Sequence, residues 1–103
     1  MTYSRKDLPQ LTEKVLDQKG LSYEHLSVKP WCISPMQKDR LPQTEERYLR
    51  ILRNTYKPLI VDNSLNLIDG HHRHDLLIKL NVPLARVIRI NLSFQEILEV
   101  FQK

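Results

Sequence analysis

The stretch Leu67–Leu80, LIDGHHRHDLLIKL, limits this chain's folding options more than any other. Leu67 and Ile68 read as the end of a strand, Asp69-Gly70 as a tight turn, and His71 onward as a helix carrying Leu76, Leu77, Ile78 and Leu80. Glycine at such a junction permits a positive φ or a close backbone approach. The first turn of a helix holds unpaired N–H groups and the positive end of the macrodipole, so it attracts anions. His71, His72, Arg73 and His74 crowd that same end. Cations there are unfavourable by themselves, and a bound phosphate is the simplest compensation.

The flanking sequence supplies the partners such a unit needs. Leu11–Lys19 reads as a short helix with Leu11, Val15 and Leu16 on one face, Thr12 or Gln10 at its start and Gly20 at its stop. His25–Lys29 alternates loosely as a strand, and Pro30 confines it to an edge or divides it. Cys32 is expected in a strand with a packing role, and Trp31 as a core anchor, with base stacking as its functional alternative. Ser34–Thr44 is a long polar loop whose Lys38 and Arg40 suit a basic flap. Thr44–Asn54 reads as a helix with Arg47, Arg50 and Arg53 in a cationic stripe.

Leu59-Ile60-Val61 is the clearest strand, and Asn63-Ser64 turns the chain into a second one, Leu65–Ile68, to form a hairpin. The central helix ends near Asn81, ahead of Pro83. Ala85–Asn91 alternates as a strand crossing the core, and Ser93 with Glu96 forms a capping box for a last helix. Phe94, Ile97, Leu98 and Phe101 are the apolar stripe of that helix. The chain contains no internal repeat.

At 103 residues the chain suits one domain: a helical extension over 1–20, a core over 25–92 and a C-terminal helix over 93–103. The fold class expected is α/β (α+β), a mixed sheet of about four short strands with three to four helices. The formal net charge of +4 is compatible with polyanionic partners. A single cysteine excludes an internal disulfide and suits a reducing cytoplasm. No apolar run is long enough to span a membrane, and the N-terminus lacks a signal-peptide core.

The chemistry expected centres on Asp69–Arg73. Arg73 offers a planar fork for phosphate, beside the backbone of Gly70 and His72. Asp69 either caps the helix or, with Asp62, positions a divalent ion such as Mg2+. His71 or His72 would move protons, and one of the two is expected to be buried as structure. Adjacent helical residues point about 100° apart, so the three imidazoles cannot converge, and a closed zinc site lacks ligands on one face.

These residues carry a resemblance. Pro58–Asp62, then Ile68–Leu77, then Val82-Pro83 and its following strand resemble the ParB/sulfiredoxin-like superfamily, over about residues 25–92. The resemblance rests chiefly on the DGHHR signature, and it implies a small domain whose signature binds the phosphates of a nucleotide or nucleic acid. Partition proteins of the ParB type have Glu-Arg-Arg after the glycine, so Arg73 is the matching residue here. Sulfiredoxins have a catalytic cysteine where His71 stands.

The reading that follows is a small phosphoester hydrolase, a nuclease acting on DNA. In it His71, His72 and Asp69 are catalytic, Gly70, His72 and Arg73 grip phosphate, and Lys38, Arg40, Arg47 and Arg50 contact the polymer. One alternative is a non-catalytic nucleotide- or DNA-binding regulatory module, as a homodimer or with a protein partner. Another is a kinase or ATPase using ATP or CTP, with Glu24 as the available carboxylate. By analogy alone, a short domain of this type suits a phage or mobile-element accessory protein.

Overall fold

The computed structural model describes residues 11–35 and 57–101. The expected flap with Lys38 and Arg40, the 44–54 helix with Arg47 and Arg50, and the first ten residues lie outside them. Among the described residues the elements are α1 (Glu13–Gln18), β1 (Tyr23–Val28), a 3-10 turn (Pro30–Cys32), β2 (Ser34–Pro35), β3 (Leu59–Val61), β4 (Asn66–Asp69), α2 (His71–Lys79), β5 (Ala85–Ile90) and α3 (Phe94–Phe101).

The strands form one mixed five-stranded sheet in the order β1-β5-β3-β4-β2. β5 lies between antiparallel β1 and parallel β3, β4 is antiparallel to β3, and β2 runs parallel to β4 at the far edge. Strand periodicity divides the interior into two cores. Ile60, Ile68, Ile88 and Ile90 face Leu11, Leu16, Phe94, Ile97 and Leu98 from the segments around α1 and α3. Leu59, Val61, Leu67, Ala85 and Val87 face the other way, onto Leu77 of α2 and Ile33. The sheet is therefore covered on both sides, and each fully buried aliphatic residue contributes roughly 1.5–3 kcal/mol.

Local chemistry sets the element ends. Thr12 caps α1 by accepting the Val15 N–H through Oγ1, and the chain leaves the helix at Gly20 with φ +68°. α2 stops where Asn81 takes a φ of +54°, and the Val82 N–H returns to the Leu77 carbonyl at 3.0 Å. The capping box before α3 forms in both directions: Ser93 N–H donates to Glu96 Oε1 and Glu96 N–H to Ser93 Oγ.

The expected α+β class with a mixed sheet holds, and the fifth strand among the described residues is two-residue β2, which adds to the edge of β4 with Ser34 N–H on the Leu65 carbonyl. Two expectations are corrected. Cys32 is exposed in the 3-10 turn and does not pack in a strand. Trp31, in the same turn, is 63% exposed and anchors no core. Pro30 explains both: its fixed φ and missing N–H start a 3-10 turn, and the ring of Pro30 fills the buried position instead. No helix among the described residues is long and apolar enough to cross a membrane.

Candidate functional site

The strand-to-helix junction works through its glycine. Gly70 has φ +97° and is itself the helix N-cap, without a side-chain cap. Asp69 is thus not the cap: Oδ1 accepts the N–H of the very next residue, Gly70, at 3.0 Å. A Cβ on Gly70 would sit 2.7 Å from Leu59 Cδ2 and 2.9 Å from Arg73 NH2. The absent side chain therefore lets the guanidinium lie back over the junction.

Arg73 comes to rest in a cleft of about 450 Å³. Pro58, Ile60, Ile88 and Leu11 give the cleft an apolar floor. Lys14 from α1, Lys57 before β3, Arg73 from α2 and Arg86 from β5 bring cations to it, and Glu13 and Asp69 bring carboxylates. His25 of β1 is the imidazole there. Strand register explains the convergence. Arg86 shares its sheet face with Ile88 by alternation, and His25 lies directly opposite Ile88 in the β1–β5 ladder.

The Arg73 guanidinium is poorly satisfied for its burial. NH2 donates to the Pro58 carbonyl at a long 3.4 Å, and Nε is buried without a hydrogen-bond partner. Burial pushes the guanidinium down from its ordinary value, while the Asp69 charge acts in the opposite sense. A group of this kind gains from an anion that brings both charge and acceptor oxygens.

The other signature residues lie elsewhere. His71 is 3% exposed and His74 4%, whereas His72 is half-buried, and none of the three lines the cleft. His74 is tied into the structure: Nε2–H donates to the Pro30 carbonyl at 2.7 Å, and Nδ1 is buried without a partner. Asp62, 1% exposed, sits at the opposite end of the β3–β4 hairpin and faces a separate hollow with Asn66 and Ser93. Asp62 and Asp69 therefore do not share a site, and the described residues hold no group of three His, Cys, Asp or Glu suited to a metal ion. Of the signature residues expected to act, Asp69 and Arg73 reach the cleft together. Sequence reasoning did not single out Lys14, His25, Lys57 or Arg86 as site residues, because only the sheet register and the packing of α1 bring them to one place.

No family model matches the chain, and no curated protein matches it significantly. Solved structures do. The C2221 form of a pNOB8-like ParB N-domain superposes with a TM-score of 0.59 at 25% identity, over 74% of this chain and 33% of that one. A second structure of the pNOB8-like ParB N-domain gives the same TM-score of 0.59 and 25% identity, over 74% of this chain and 30% of that one. The chain spans about a third of the length of the solved chains it matches.

Proposed function

From the premise of a ParB N-domain-like fold, we propose that this chain is a phosphate-binding module that takes a nucleotide or nucleic-acid phosphate in the Arg73 cleft. One observation carries the reading: a half-buried guanidinium with an unpartnered Nε opens onto a cleft it shares with Lys14, Lys57 and Arg86. The apolar floor of Ile60, Ile88 and Pro58 would take the less polar part of such a ligand. Grip dominates over proton transfer here, because His25 is paired with Glu13 and the signature imidazoles do not line the cleft.

A second reading, a phosphoester hydrolase acting on DNA or a nucleotide, has Asp69 in its favour. That carboxylate lies in the same cleft as Arg73 and suits a divalent ion arriving with the phosphates.

Calorimetric titration with ATP, CTP, GTP and a short single-stranded DNA, with and without Mg2+, separates the two. The module reading expects binding without product. Arg73→Ala should weaken that binding roughly 10–100-fold, the loss of a charge-assisted contact. The variant should melt close to wild type, because its bond to the Pro58 carbonyl is long. Product that disappears in Asp69→Asn would favour the hydrolase. No binding by wild type to any of these ligands sinks the phosphate site.

A further inference from the structure

Glu13 and His25 come from different elements and meet at the cleft. Glu13 opens α1, His25 lies on β1, and His25 Nε2 is paired with Glu13 Oε1. Both line the cleft. The register that sets His25 opposite Ile88 puts its imidazole on the sheet face that carries the cleft floor.

We propose that Glu13 is an internal competitor for this site: its carboxylate occupies the imidazole that a bound phosphate would otherwise engage. The proposal rests on the phosphate-binding reading and adds its regulation. The exchange is favoured by the surroundings. Lys14 of α1, Lys57 ahead of β3, Arg73 of α2 and Arg86 of β5 line the same cleft, with Asp69 as the other carboxylate. A phosphate carries more charge and more acceptor oxygens to this set than one carboxylate does. The pair is also easily opened, since its side chains are 53% and 48% exposed and exposed ion pairs are weak. Opening it leaves α1 in place, because Leu11 and Leu16 remain buried beneath.

Glu24 provides the control. It neighbours His25 but points to the opposite sheet face, where Arg89 NH1 donates to it at 2.8 Å.

The test is calorimetry with CTP and with inorganic triphosphate on Glu13→Gln, His25→Gln, the double variant and Glu24→Gln. Glu13→Gln should tighten binding about 3–5-fold, the range an exposed pair can contribute. In the His25→Gln background the same change should gain nothing, and Glu24→Gln should match wild type. An equal gain with and without His25 overturns the proposal in favour of plain charge repulsion, and no gain at all overturns it outright. If no variant binds either probe, the phosphate reading fails and takes this proposal with it. Arg73→Ala placed in the Glu13→Gln background separates the cases, since it must abolish any gain that comes from this cleft.

Discussion

A carboxylate lies at one end of the β3–β4 hairpin and a half-buried guanidinium at the other, and the structure treats them in opposite ways. At the turn, Asp62 is 1% exposed and fully engaged. Its Oδ1 accepts the backbone N–H groups of Ser64 and Asn66 at 2.8 and 2.9 Å, and Oδ2 accepts Asn66 Nδ2 at 2.8 Å. At the junction with α2, Arg73 has one long bond and an Nε with no partner. A buried charge whose hydrogen bonds are complete holds a fold together, whereas one left incomplete has capacity for a ligand. Asp62, one of the two carboxylates that sequence reasoning offered for a metal, is thus part of a turn, while Asp69 lines the cleft with the arginine that has capacity to spare.

The largest expected effect comes from breaking the satisfied end. Asp62→Ala strands two turn N–H groups and the Asn66 amide, a loss of about 3 kcal/mol. In thermal unfolding that should lower Tm by roughly 12 °C or more, with ligand affinity of the folded protein unchanged. Gly70→Ala acts on the other end and should couple stability to binding. The added Cβ meets Leu59 Cδ2 at 2.7 Å and Arg73 NH2 at 2.9 Å, on a backbone with φ +97°. A cost of about 2 kcal/mol by denaturant titration is expected, together with weakened phosphate binding as the guanidinium is displaced. Equal affinity in Gly70→Ala and wild type would show that the close packing of Arg73 on the glycine is irrelevant to the cleft.

The smallest effect lies in the helix cap beside the turn end. The hydrogen bond from Ser93 N–H holds the Glu96 carboxyl below its usual range. A carboxylate depressed in the folded state stabilises it above the ordinary carboxylate range, and that contribution is lost as pH falls through the lower folded value. Glu96→Gln should therefore flatten the fall in stability as pH drops below the ordinary carboxylate range, measured as urea midpoints, and leave the cleft untouched.

Much of the frame was legible because it is written in local patterns. The Leu59-Ile60-Val61 run, the Asn63-Ser64 turn, the Ser93–Glu96 capping box and the stop at Asn81 each depend on residues a few positions apart. The DGHHR signature pointed to Arg73 and to a ParB-like fold, and both Arg73 and Asp69 do line the cleft. What could not be read is what long-range register creates. Lys14, His25, Lys57 and Arg86 reach that cleft from four separate segments, and nothing local to any of them marks it. Trp31 and Cys32 misled for a related reason: composition assigns such residues to an interior, but Pro30 claims the buried place in that turn.

The position of Trp31 has an optical consequence. It is the sole tryptophan, the residue is 63% exposed, and Lys29 Nζ stands 5.9 Å from the ring centroid. The indole is bathed in water in the native protein much as it is in an unfolded chain. Its emission maximum should hardly move on denaturation, so a fluorimeter would record folding almost as silence. A molecule that settles on this turn would exclude that water, and the emission would shift to the blue.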